Sequence, residues 1–199
     1  VATDRPVTGQ FSDTRHRRRN HSSCQTRVQL ICSPGMTTVL ESIRDWLCVE
    51  GVQFREVHHE PTRTSEDSAR VRGEPLKNGG KALVMKLDDR FAVFVLPADR
   101  RAHSATIRRT LGVRKLRFAT AEELLELTAI DGREGLVPGS VPPFGEPILP
   151  LPLYVDRAIE ANQRIAFNAG SLTDSVIFDV SDYLRMACPT GIFEFSNSE

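Results

Sequence analysis

The sequence predicts an α/β fold of the α+β type: a mixed, curved, barrel-like β-sheet surrounded by short helices. Three observations lead there. Short stretches of helical periodicity lie among many strand-like runs. The two kinds do not alternate with the regular rhythm that βαβ units would impose. No internal repeat divides the 199 residues, a length that suits one full core plus a tail.

Residues 1–35 stand apart from the rest. VATDRPVTGQFSDTRHRRRNHSSCQTRVQLICSPG is rich in Arg, Ser and Thr and has no sustained periodicity. It also has no apolar run of signal-peptide length. It reads as a disordered or extraneous extension upstream of a start at Met36, with a basic nucleic-acid arm as the alternative. The folded domain is expected over 36–199.

From Met36, MTTVLESIRDWLCVEG places Val39, Ile43, Trp46 and Leu47 on one helical face, with Gly51 as a stop. Cys48 falls within this pattern and is expected in the core. VQFREVHH alternates as a strand until Pro61. TSEDSARVRG reads as a helix capped by Thr64, with Asp67 three residues on, and closed by Gly73. KALVMKL and RFAVFVL flank Asp88-Asp89 as a hairpin. SATIRRTLG is a short helix, LRFA a brief strand, and TAEELLEL a helix opened by a Thr120/Glu123 capping box. LPLYVDRAI, QRIAFNAGS and DSVIFDV are strand candidates, and SDYLRMA closes the domain as a helix.

Charge balances at 26 basic against 26 acidic residues, so net charge excludes no class of partner. Its distribution is uneven. Residues 63–117 hold fourteen Lys/Arg against six acids, and 118–199 hold four against thirteen. Such a basic block either attracts an anionic partner or is spread over a solvated surface. Cys24, Cys32, Cys48 and Cys188 have no CxxC spacing, so neither a zinc site nor a disulfide framework is indicated, and a reduced, cytoplasmic setting fits. No apolar run is long enough to cross a bilayer.

Two motifs fail on inspection. NGGKA resembles a phosphate loop, but Pro75 and Ala82 occupy positions that need Gly and a hydroxyl. His59-Glu60 begins an HExxH-like string that Arg63 breaks. His58, His59 and His103 read as surface or turn residues. There is no GxSxG elbow and no evident side-chain nucleophile.

Three features remain. Lys81 heads a strand on which it shares a face with Leu83, Met85 and Leu87. Its ammonium either leans into a cavity or snorkels to water. Asn168-Ala169-Gly170-Ser171 is either a ligand-contacting segment or an ordinary turn. The third feature is EGLVPGSVPPFG at 134–145, too rich in Gly and Pro for a helix or central strand and too apolar for a spacer.

GKALVMK, GLVPGSVPPFG and FNAGSLTDSVIFDVSDYLR occur in this order, after HHEPTRTSEDSARVRG. Together they resemble the YbaK/prolyl-tRNA-editing-domain family of trans-acting aminoacyl-tRNA deacylases, from Met36 to Glu194. The resemblance implies hydrolysis of the ester joining a wrong amino acid to tRNA, with groups of the substrate itself assisting. It implies that Gly135-Leu136-Val137-Pro138-Gly139 forms one pocket wall and offers backbone N–H groups to a developing oxyanion. Lys81, Gly135 and Gly139 are then the catalytic candidates. Leu136, Val137, Pro138, Asn168, Gly170 and Ser171 are the substrate-binding ones. Size selection is expected from Leu136, Val137 and Phe144. No metal or cofactor is implied. The partners are the acceptor end of an aminoacyl-tRNA, met by the basic block, and an aminoacyl-tRNA synthetase. Alanine, cysteine, serine and threonine stay open as the amino acid removed. A non-catalytic module that binds a small ligand or a protein in the same pocket is the alternative from another class.

Overall fold

The computed structural model describes residues 38–130 and 132–198, so the expectations for residues 1–35 lie outside it. Helix α1 (Val39–Val49) buries Val39, Ile43, Trp46 and Leu47, and Thr38 and Glu41 close a capping box at its start. Cys48 lies off that stripe and is exposed, which corrects its placement in the core. Cys188 is disulfide-bonded, which the spacing of the cysteines did not indicate.

Strand β1 (Phe54–His58) precedes α2 (Ser65–Arg72), where Thr64 accepts the Asp67 N–H and Gly73 closes the helix at φ +66°. Strands β2 (Gly80–Leu87) and β3 (Arg90–Pro97) form the predicted hairpin around Asp88-Asp89. Then come β4 (Arg100–Ala102), α3 (Ser104–Leu111), β5 (Leu116–Phe118) and α4 (Ala121–Thr128), with the Thr120/Glu123 box in place. After the proline-glycine loop follow β6 (Leu153–Asp156), β7 (Arg164–Asn168), β8 (Asp174–Asp179), α5 (Val180–Ala187), β9 (Gly191–Phe193) and β10 (Ser196–Ser198).

The strand expected over LPLYVDRAI is cut short at Asp156. This carboxylate is fully buried and accepts the backbone N–H of Ala158 and of Phe195, turning the chain into a 3-10 helix over Arg157–Ala161. Strands β4, β9 and β10 were not predicted. At three residues each they are too short to show a period.

The ladders fall into three sheets, ordered β5-β2-β3-β6-β9, β1-β8-β7 and β10-β4. Pairings β3–β6 and β6–β9 are parallel and the others antiparallel, the mixed sheet the sequence predicts. A single parallel bridge between Gly79 and Ala166 ties the head of β2 to β7.

The β2–β3 hairpin is apolar on both faces because each face meets a core. Val84, Val93 and Val95 join a cluster with α1, α5, β7 and β8. Met85, Leu87, Phe94 and Leu96 join a second with Ile107 of α3 and Phe195. Leu136, Val141 and Phe144 of the proline-glycine loop belong to the first cluster, and Phe144 packs edge-on to Trp46 and Phe167. This accounts for the loop's apolar composition: it is a core segment without regular structure. Among the described residues, no helix is long and apolar enough to cross a membrane.

Candidate functional site

Strand β2 is paired with β3 along its whole length but with β5 only at Met85–Leu87. The Val84 carbonyl accepts the Ala119 N–H, and Gly79 bridges to Ala166. Between those two ties, no strand among the described residues is laddered to the second edge of β2 at Ala82. Antiparallel alternation turns the Ala82 N–H and C=O to the same side as the Val84 carbonyl, towards this gap.

A cavity of about 230 Å³ opens there. Gly80 to Leu83 and Ala98 form its floor, and Thr62 to Ser65, with Ser68 and Arg72, bring the α2 side. Gly139, Val141 and Asn168 complete it from the loop and from β7. Lys81, Gly139 and Asn168, remote in sequence, thus line one cavity. The Lys81 ammonium donates to the carbonyls of Arg100 at 2.7 Å and Ala98 at 3.4 Å.

The loop is narrower in its offer than the expected row of amides. The Leu136 N–H goes to Thr128 Oγ1 and the Val137 N–H to Ser140 Oγ. The Ser140 N–H returns to the Val137 carbonyl, and Pro138 has none. Gly139, at φ +92°, is the segment's cavity-lining residue, and its N–H meets no acceptor among the described residues. Gly135 instead packs on α4, where an added Cβ would collide with the Leu125 carbonyl oxygen.

The apolar candidates divide similarly. Leu136 and Phe144 are in the core, Val137 is 45% exposed and Pro138 is exposed, so none of these lines the cavity. Leu83, Val141 and Ala98 supply the apolar lining of the cavity. Gly170 and Ser171 also lie off the cavity. The Gly170 N–H donates to the Ser140 carbonyl and its α-carbon packs on Val39. Ser171 Oγ donates to Asp174 and accepts the N–H of Thr173 and Asp174, closing the turn into β8. Burial pushes the Asp174 carboxyl up, but bonds from Ser171, His58 and Thr173 outweigh it and hold the group below its ordinary range.

Sequence reasoning missed Arg72. It is 6% exposed and lines the cavity, donating from Nε to Ser175 Oγ at 2.8 Å, from Nη1 to the Ala166 carbonyl at 3.2 Å and from Nη2 to Asn168 Oδ1 at 2.6 Å. All three acceptors are neutral. Burial lowers its pKa to about 10, which leaves it protonated at neutral pH. A faint signal existed: α2 buries Ser68 and Arg72 at helical spacing and has no broad apolar stripe.

Residues 59–186 match the family model for the aminoacyl-tRNA editing domain. The chain belongs to that family. It is 38% identical over 151 residues to the multifunctional Ser/Thr-tRNA deacylase ProXp-y of Escherichia coli K12, covering 72% of this chain and 84% of that protein. It is 30% identical over 107 residues to the proline–tRNA ligase of Shouchella clausii, where the match spans 54% of this chain and 18% of the ligase. A proposed trans-editing enzyme for prolyl-tRNA synthetase shares the fold, with a TM-score of 0.68 at 22% identity over 82% of this chain and all of that one.

In this editing domain the basic block divides. Arg63, Arg72 and Lys81 line the cavity. Arg117 and Lys86 are instead paired with Glu123, Arg117 through Nη1 and Nη2 at 2.6 and 2.7 Å. Those bonds, led by Arg117, hold the Glu123 carboxyl at a pKa of about 2.

Proposed function

We propose that this editing domain is a free-standing deacylase that hydrolyses the ester of a mischarged aminoacyl-tRNA, and that serine and threonine are the amino acids removed. The observation that carries the reading is the single cavity lined by Lys81, Gly139 and Asn168. Its hydroxyl lining, from Thr62, Ser65 and Ser68, suits a substrate side chain that itself bears a hydroxyl. The similarity to a Ser/Thr-tRNA deacylase supports the same choice.

In this reading the terminal ribose and its amino acid enter over the edge of β2 at Ala82. Water adds to the ester carbonyl carbon, and the carbonyl oxygen takes up negative charge. The Gly139 N–H and the Lys81 ammonium face that oxygen. The ester C–O bond then breaks, the ribose oxygen leaves with a proton, and free amino acid and tRNA are released. A preorganised donor of this kind contributes about 2.7–4 kcal/mol to the transition state. Arg63, exposed at the cavity, contacts backbone phosphate at the acceptor end, which positions without reading sequence.

The test is a deacylation panel of tRNAs charged with serine, threonine, alanine and cysteine. Seryl- and threonyl-tRNA should lose their amino acid fastest, and Lys81→Ala should abolish turnover while the fold persists. Binding without turnover on every tRNA of the panel would instead favour a non-catalytic module.

A further inference from the structure

We propose that Arg72 is a positioning residue for deacylation, setting the Gly139 peptide through the side-chain amide of Asn168. The inference rests on the deacylase reading for its kinetic consequence, and on geometry alone for the relay itself.

The chemistry of the three groups fixes the direction of the relay. A guanidinium has donors and no acceptor, so the amide of Asn168 must turn its oxygen towards Arg72. Its NH₂ then points the other way, and Asn168 Nδ2 donates to the Gly139 carbonyl at 2.8 Å. A neutral asparagine without that arginine could present either end. Arg72, by the shorter bond at 2.6 Å, leads the choice of which end meets the loop, the Ser175 hydroxyl adding a donor to the same Oδ1 at 3.2 Å, and the loop carbonyl accepts only the NH₂ end.

The guanidinium is itself tightly placed. Its bonds to Ser175, Ala166 and Asn168 tie the last residue of α2 to β7 and β8. Ser175 is gripped from behind by His59 Nε2 at 2.8 Å. On the loop side, the Gly170 N–H donates to the Ser140 carbonyl at 3.0 Å, so the carbonyls of both Gly139 and Ser140 are held from the β7 end. The Pro138–Gly139 peptide, which carries the Gly139 N–H, is the next one along. A rotation at Gly139, free to pass through φ values closed to other residues, would swing that donor away.

The decisive variants are Asn168→Asp, Arg72→Lys and Arg72→Met, each assayed on seryl-tRNA under single turnover and followed by NMR of the Gly139 amide. Asn168→Asp gives Arg72 a carboxylate partner but removes the donor to Gly139. Its melting temperature should hold or rise, while the deacylation rate falls about 100-fold, the scale of a misplaced catalytic group, with KM unchanged. Arg72→Met should lose rate to the same extent, and Arg72→Lys should recover part of it. In both Arg72→Met and Asn168→Asp the Gly139 amide resonance should shift and exchange faster.

A folded Arg72→Met protein with wild-type rate and an unmoved Gly139 resonance would overturn the relay. So would an Asn168→Asp protein of wild-type rate. Should Arg72→Met fail to fold, Arg72→Lys and Asn168→Asp carry the test. Should wild-type protein deacylate no tRNA of the panel, the deacylase reading falls, and the Gly139 resonance in Asn168→Asp still decides the relay.

Discussion

Gly139 and Gly170 both have φ +92°, and they differ in what surrounds them. Replacing either by alanine places an L-residue in left-handed backbone, at about 1–2 kcal/mol. At Gly139 the new Cβ meets only the Leu172 Cδ2 at 3.2 Å, the far end of a flexible side chain. At Gly170 it lands 2.5 Å from Val39 Cβ and 2.9 Å from Val39 Cγ1, at the start of α1. Val39 is 7% exposed and cannot move without disturbing the first core cluster. Overpacking of that kind adds about 1–3 kcal/mol. Gly139→Ala should therefore lose about 1–2 kcal/mol and Gly170→Ala about 2–5. For a domain of this size each kcal/mol lowers the melting temperature by about 2–4 °C. Thermal unfolding by circular dichroism should give shifts of about 2–8 °C and about 4–20 °C respectively. Because the backbone strain is common to both, the difference between the two shifts reports the Val39 contact alone. Equal shifts would refute the reasoning. A deacylation assay adds a contrast: Gly139→Ala should lose activity out of proportion to its stability, since Gly139 lines the cavity.

Three further outcomes follow from buried or paired groups. Asp156→Asn removes an acceptor from one of two backbone N–H groups, Ala158 or Phe195, and should lower stability by about 1–3 kcal/mol in urea unfolding. Burial raises the Tyr183 pKa far above its ordinary value, so stability is full below the unfolded value near 10 and falls as pH rises past it. Phenolate absorbance from Tyr183 should appear only together with alkaline unfolding. Glu123, with its pKa held at about 2 by Arg117 first, contributes stability above its unfolded pKa that is lost as pH falls towards 2. In Arg117→Ala, an NMR titration of Glu123 should return its midpoint towards the ordinary carboxylate range.

What the sequence made legible was whatever a local rule controls. The α1 stripe, the Thr64 and Thr120 caps and the Asp88-Asp89 hairpin depend on neighbours within a few residues, and each formed as expected. The apolar loop was likewise readable as a packed segment, because Leu136 and Phe144 have no place in water. The partners of its amides were not. Thr128 and Ser140 take the Leu136 and Val137 N–H groups only because the loop folds back on α4 and on itself, a path no spacing encodes. Arg72 was hidden for the same reason. An arginine in the last turn of a polar helix reads as solvated until Ala166, Asn168 and Ser175, about a hundred residues on, close over it.

The unzipped stretch of β2 carries one more consequence. The Gly79–Ala166 and Val84–Ala119 ties stand like bookends on either side of Ala82. A neighbouring molecule seeking to pair edge to edge needs a longer run, so this gap is a poor template for aggregation. The gap leaves room for one extended residue against the N–H and C=O of Ala82, and for little more.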